Sequence, residues 1–389
     1  MDYSDHFELQ SLSSSQGTTG SSSVSLRPFL FLIVVFILVG WGLITLYSAS
    51  YDEAMRLSLP PHYFFSRQAM FALFGFFLIA VFSLLPLSWI RFSSYPLLVL
   101  SLVLMLVTLF TPYGVEKMGA RRWLDLPLLP SFQPSELVKI ALILTAARLF
   151  GGDEELTGQK KSRRVLIFIA LIIVSAGLMV AQKDYSTTAI FIATSGVLLI
   201  IAGVRLVWLS LFTVTLMVPM TIFLLIEPYR IRRVVSFLFP SLDPGGMNYQ
   251  VNRALEAIQS GGLFGKGLGN GVYKLGLIPE VHSDFIFASF VEESGAIAVI
   301  FLALLFFLLF YFGVSSALLA LHGARFVSYL AFGFSTMILL QALVNLAVVT
   351  RLLPPTGIPL PFFSQGGTNL IVVLAECGLL YRCVREVNE

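Results

Sequence analysis

The stretch VLIFIALIIVSAGLMVAQKDYSTTAIFIATSGVLLIIAGV, residues 165–204, decides what kind of fold this chain can adopt. Residues 165–181 carry no charge, QKDYS follows, and 187–204 are again uncharged. An α-helix rises 1.5 Å per residue, so each run makes a rod of roughly 25–27 Å, close to the ~30 Å hydrocarbon core of a bilayer. The cluster Lys160, Lys161, Arg163 and Arg164 stands just ahead of the first run. Two apolar rods joined by a short polar turn predict a helical hairpin through a membrane.

Similar runs recur along the chain, near 29–48, 68–87, 95–111, 136–150, 206–226, 295–313, 327–349 and 367–381. With the opening pair they make about ten transmembrane helices, the fourth short and amphipathic. Composition agrees. Of 389 residues 57% are hydrophobic, 35 are Phe, and only 12% are charged, about half the usual quarter. A water-soluble enzyme, a disordered protein and a nucleic-acid binder are all excluded. The expected fold is an all-α polytopic integral membrane protein. Cys377 and Cys383 form neither a disulfide framework nor a zinc pattern.

Residues 1–28 are polar and Ser-rich, without the basic start and early apolar core of a signal peptide. They read as a disordered cytoplasmic tail ahead of a membrane domain over 29–389. An even number of spans puts both termini on one side. The cluster at 160–164 assigns that side to the cytoplasm, because short cytoplasmic loops are rich in Lys and Arg. No internal repeat is visible, which weakens a transporter built from inverted halves.

On this topology four polar segments share the outer face: 112–135, 182–187, 227–284 and 350–369. The first holds Arg121 and Arg122 beside Trp123. There Ser135 is expected to cap a helix, with Glu136 and Lys139 three apart on one face. A helix-end ion pair is the plain reading of the last two, but ionisable residues at membrane depth are costly and default to function. The third segment, whose stretch 227–283 is the large loop between spans seven and eight, has Arg230, Arg232 and Arg233, then glycines at 261, 262, 265, 267, 269 and 271. No Gly-Lys-Ser/Thr closes that run, so it is not a Walker loop. It ends at His282, Ser283 and Asp284, where the polar loop gives way to FIFASF. A partly desolvated carboxylate there can meet an aqueous substrate and act as a base; Ser283 or Asp284 capping the next helix is the alternative. In the fourth, prolines 354, 355, 359 and 361 forbid a continuous helix. Gln341 and Asn345, four apart, are expected to hydrogen-bond across helices.

These residues together resemble the SEDS family (shape, elongation, division and sporulation), represented by FtsW, RodA and SpoVE. The resemblance rests on LYSAS at 46–50, GARRW at 119–123, FQPSELVK at 132–139, AIQSGGLFGKGLG at 257–269, IPEVHSDFIFA at 278–288, EESG at 292–295 and LPPTGIPLPFFSQGGTNL at 353–370. Departures fall at Lys183, Tyr185 and Ser186, and at Gln365 in place of an aromatic. The resemblance implies a peptidoglycan glycosyltransferase that polymerises lipid II at the outer face of the bacterial cytoplasmic membrane. Asp284 takes the position of the family's catalytic aspartate. Substrate-binding roles fall on Arg121, Arg122, Glu136 and Lys139, with Asp184, Arg230, Arg233, His282 and Ser364 as further candidates. A class B penicillin-binding protein and other divisome proteins are the implied partners.

Inverting transfer from an α-linked pyrophosphate donor to a β-1,4 product needs one displacement. One general base and neutralisation of the leaving pyrophosphate then suffice. A divalent cation, Mg or Mn, is compatible with this chemistry; Asp284 has no ligand cluster beside it, so the sequence leaves the cofactor open. KLGLIPEVHSDFIFA leans to the division type, placing the chain at the septum. A RodA-like elongation polymerase, a lipid II flippase and a scaffold for the penicillin-binding protein remain alternatives.

Overall fold

The computed structural model describes residues 26–117, 119–127, 130–152, 158–208, 210, 237 and 247–388. Ten long helices appear among them: α1 (Arg27–Arg56), α2 (Tyr63–Leu84), α3 (Leu87–Phe110), α4 (Pro134–Phe150), α5 (Gly158–Ala181), α6 (Tyr185–Ile201), α7 (Met247–Gly261), α8 (Ile286–Ala320), α9 (Arg325–Val349) and α10 (Gly367–Asn388). Each apolar run read from the sequence falls on a helix, except 206–226, which lies almost wholly outside the described residues, as does 1–25. Six helices, α1, α2, α3, α5, α8 and α9, are long and apolar enough to cross a membrane.

The fourth run corrects its expectation. It is not amphipathic: α4 is buried on nearly every side, Glu136 and Lys139 included. It packs against α3, α5, α6, α9 and α10. A helix surrounded by protein needs no lipid-facing stripe, so 17 residues with three charges are tolerated. Among the described helices α2 and α10 share the most extensive contact, and glycine makes that approach possible. A Cβ on Gly75 would stand 2.2 Å from Leu374 Cδ1, and one on Gly378 2.9 Å from Ile79 Cα. Without water pressing apolar surfaces together, close backbone contact is what membrane helices have to offer one another. Some buried hydroxyls bond within their own helix, Thr145 donating to Ala141 O at 2.7 Å and Ser195 to Phe191 O at 2.7 Å.

One feature departs from an all-α reading. Residues 114–124 form an antiparallel hairpin, β1 (Gly114–Lys117) with β2 (Ala120–Leu124), and Gly119 at φ 73° makes its turn. An isolated bridge from Leu124 to Phe132 ties it to the start of α4. Alternation along β2 sends neighbouring side chains to opposite faces.

Candidate active site

That alternation separates the two arginines the sequence shows side by side. Arg121 turns into the hairpin and donates to the carbonyls of Thr111 and, at 3.1 Å, Gly114. Arg122 points the other way, into a cavity of about 220 Å³. Its guanidinium reaches Asp184 at 3.4 Å.

Asp184 sits in the tight turn between α5 and α6, closed by Lys183 at φ 61° and by the bond from Asp184 N to Met179 O at 2.9 Å. Its carboxylate is 1% exposed and well supplied with donors. Gln133 Nε2 donates at 2.6 Å and Ser135 Oγ at 2.9 Å, beside Arg122. Here the structure corrects the capping expectation. Gln133 is the N-cap residue of α4 and makes no side-chain capping bond, Pro134 opens the helix, and Ser135 spends its hydroxyl on Asp184.

Below this turn Glu136 and Lys139 pair at 3.0 Å. The ammonium also donates to Gln341 Oε1 at 3.2 Å, and Asn369 Nδ2 donates to Glu136 at 3.5 Å. Gln341 does bond across helices, to Lys139 of α4, and it lines the cavity with Glu136 and Lys139; the partners of Asn345 are loop carbonyls instead.

Asp284 forms another part of the cavity wall. It directly precedes Phe285, the N-cap residue of α8, whose own side chain makes no capping bond. Ser283 Oγ donates to Asp284 Oδ1 at 3.1 Å. Asn345 Nδ2 donates to the Asp284 carbonyl at 2.9 Å and to Ile358 O at 2.7 Å, joining this wall to the Pro-rich segment. Gly357, at φ 73°, lets that segment pass close to the carboxylate: a Cβ there would stand 3.3 Å from Asp284 Oδ2.

One cavity therefore gathers Arg122, Glu136, Lys139, Asp184 and Asp284 from four separate segments. His282 and Ser364 are not among its lining. His282 lies against Phe64, ring centroids 5.1 Å apart, and its carbonyl accepts from Gln365 N at 2.9 Å. Burial holds its imidazole pKa below the ordinary value, against the opposing pull of Glu280, Glu53 and Asp284. Ser364 Oγ accepts from Leu360 N at 2.8 Å, and its carbonyl accepts from Gln68 at 3.1 Å. Both shape the loop behind the site. Arg230, Arg232 and Arg233 lie outside the described residues.

A second cavity, about 480 Å³, adjoins the first across a wall made of Trp123, Gln365, Gly366 and Thr368. Phe64, Phe71, Phe132 and Ile371 give it an apolar lining, with Arg67 at one side. Among the described residues no group of three or more His, Cys, Asp or Glu could hold a metal ion. Asp184 spends its oxygens on Gln133, Ser135 and Arg122, so its donor set does not suit a divalent cation.

Sequence reasoning missed Gln133, Gln341 and Asn369 as parts of the site. The available signal was an amide inside or at the mouth of an apolar helix, which must find partners.

A multi-pass helical membrane protein with a charged cavity at one end of its bundle is the class these observations define. Residues 28–389 match the family model described as cell cycle protein, FtsW/RodA/SpoVE, and the chain belongs to that family. It is similar to the probable peptidoglycan glycosyltransferase FtsW of Borreliella burgdorferi, 37% identical over 92% of this chain and 96% of the relative. The protein of the same name from Escherichia coli O6:H1 is 35% identical over 92% and 86%. Among solved structures, a chain from work on coordination of polymerization and crosslinking by a peptidoglycan synthase complex superposes with TM-score 0.72, at 27% identity, over 92% of this chain and 98% of that one. The rod shape determining protein RodA of Thermus thermophilus gives TM-score 0.65 at 26% identity, over 94% and 97%.

Proposed function

We propose that this chain is a peptidoglycan glycosyltransferase that polymerises lipid II for septal wall synthesis. The observation that carries the mechanism is a single cavity whose lining brings the Asp284 carboxylate together with the cations Arg122 and Lys139. Asp284 takes the proton from the acceptor's 4-hydroxyl as that oxygen attacks the donor's anomeric carbon. Lys139 and Arg122 line the same cavity and neutralise the departing pyrophosphate, where a forked guanidinium suits paired oxygens. Glu136 and Gln341 hold the Lys139 ammonium in place, and Asp184 with Gln133 and Ser135 aims Arg122. One base and one anion site on opposite sides of the reacting carbon satisfy a single inverting displacement.

The topology we infer has ten spans, both termini in the cytoplasm and the cavity mouth on the outer face. There lipid-linked donor and acceptor present their headgroups. Arg230 and Arg233, outside the described residues, are further candidates for holding the pyrophosphate. A class B penicillin-binding protein would crosslink the emerging strand, with other division proteins assembled around the pair.

The test is lipid II polymerisation by the purified chain with its cognate class B partner. Wild type should yield glycan strands. Asp284→Asn should yield none while remaining folded and partner-bound. Strands from Asp284→Asn at near wild-type rate would remove the base assignment, and strands from neither protein would move the reading to flippase or scaffold.

A further inference from the structure

The glycine-rich run after α7 is built inside out for a solvated loop. Between 261 and 276 the chain has two charged residues, Lys266 and Lys274, and both pair with carboxylates of α8, Lys274 buried and Lys266 partly exposed. Lys266 Nζ pairs with Glu292 at 2.8 Å and Lys274 Nζ with Glu293 at 2.5 Å. Lys274 also donates to Ser48 Oγ at 2.7 Å and Gly269 O at 3.0 Å. The large apolar side chains turn outward instead: Leu263 is 65% exposed, Phe264 80% and Leu268 60%, with Val272 and Leu275 beyond them.

The backbone of this run is fastened to one place on α8. Lys266 N donates to Glu292 O at 3.0 Å, Gly267 N to Glu293 O at 3.0 Å, Ala296 N to Gly262 O at 2.9 Å and Ile297 N to Leu263 O at 3.2 Å. These bonds surround Gly295, whose φ of 78° and ψ of 178° interrupt the helix. A Cβ on Gly295 would stand 2.4 Å from Gly265 N, so the two backbones touch. The kink frees N–H and carbonyl groups that an unbroken helix would consume, and the glycine run takes them up.

The kink also marks a depth. Residues 296–320 form a straight rod of about 37 Å, slightly longer than a ~30 Å hydrocarbon core. Ile297, Ile300 and Phe301 on its first turns are exposed, continuous with the outward face of 263–268. Gly295 therefore lies within about a turn of the hydrocarbon boundary, and the tip lies beside it.

We infer that residues 263–268 form a wedge seated in the lipid headgroup and upper acyl layer, at the same end of the bundle as Asp284. The occupant of the apolar face is bilayer lipid, because the face continues the lipid-facing surface of α8 and both of its charges are neutralised from within. An apolar tip with its charges drawn away is what interfacial insertion requires. This rests on the membrane-spanning fold and not on the glycosyl-transfer reading. Seated there, the wedge holds the segment leading to Asp284 at the level where a lipid-linked headgroup leaves the membrane.

The experiment is depth measurement in the full-length protein in phosphatidylcholine nanodiscs. Phe264→Cys and, separately, Leu268→Cys carry an environment-sensitive fluorophore, with Glu256→Cys on α7 as the control. Cys377 and Cys383 are buried and do not compete for label. At 264 and 268, lipids bearing a nitroxide near the headgroup should quench several-fold more than aqueous iodide does, and at 256 the order should reverse. Iodide quenching at 264 and 268 equal to that at 256 overturns the proposal in favour of a solvated loop. Protection from both quenchers also overturns it, in favour of a protein surface covering the tip.

Discussion

Two buried acid–base clusters stand near the same end of this molecule, and they are built to opposite plans. Behind the glycine run, Glu292 accepts from Lys266, Val272 N and Tyr273 N, while Glu293 accepts from Lys274, Ser48 and, at 3.4 Å, Gly271 N. Main-chain donors and two lysines fill that cluster, and its partners come from α1, α8 and the loop between α7 and α8. Glu136 and Lys139 have fewer partners, reach them with side-chain amides alone, and border a cavity. Ionisable residues at membrane depth default to a functional reading, and that rule does not separate the two. Saturation does. A carboxylate whose oxygens are spent on its own framework is structural, and one with capacity facing empty space is available to a substrate.

The largest expected effect falls on the cavity side. Removing a general base costs about 10²–10⁴ in rate, so Asp284→Asn should abolish detectable polymerisation and leave the thermal unfolding midpoint near wild type. A lowered midpoint with residual activity in proportion would place Asp284 with the framework instead.

The comparison is broken most directly by a matched pair, Lys139→Met and Lys274→Met. Cutting one partner from a buried ion pair costs about 3–5 kcal/mol when the other charge is stranded. Glu293 is buried and lines neither of the two cavities described, so Lys274→Met should lower the unfolding midpoint sharply. Glu136 borders the cavity and can rehydrate, so Lys139→Met should lose activity with a much smaller stability change. Equal destabilisation in the two variants would erase the distinction drawn from saturation. A milder version contrasts the arginines. Arg122→Ala should cut polymerisation by about tenfold, the ~1.4 kcal/mol of one weakened charge contact. Arg121→Ala removes only its bonds to Thr111 and Gly114, about 1–2 kcal/mol of stability, and should leave the rate per folded molecule unchanged.

The sequence discloses much of this, and what it withholds has physical causes. Apolar runs locate helices because lipid and a helical core demand the same side chains, which is also why α4, enclosed by protein, reads like a poor span. The positions of Asp284, Glu136 and Lys139 at the ends of apolar runs mark them as candidates without any coordinates. The split between Arg121 and Arg122 is invisible in a line of letters, because it needs the strand period of two in a segment expected to be loop. Ser135 reads as a cap because Ser before a helix usually is one; only the fold brings Asp184, 49 residues away, to its hydroxyl. The roles of Glu292 and Glu293 depend likewise on loop backbone that no local pattern specifies.

The smallest effect tests a third buried group, His282, which the same criterion assigns to the framework. Its ring rests on Phe64 and its carbonyl holds Gln365. Burial lowers the imidazole pKa from 6.5, so below that pH the unfolded chain takes up a proton before the folded one does. Stability then rises with pH across the window beneath 6.5 and is fully present above it, the sign required when the unfolded state binds more protons. Acidification from pH 7 toward 5 should lower the unfolding midpoint of the wild type. His282→Phe should flatten part of that slope, because a phenyl ring keeps the contact with Phe64 and has no proton to bind. Its polymerisation rate at pH 7 should stay within about twofold of wild type, since that ring is neutral in the native state at that pH and outside the cavity lining. A flattened activity profile over an unchanged stability slope would instead move His282 to the cavity's side of the comparison, as a group that exchanges protons with Asp284.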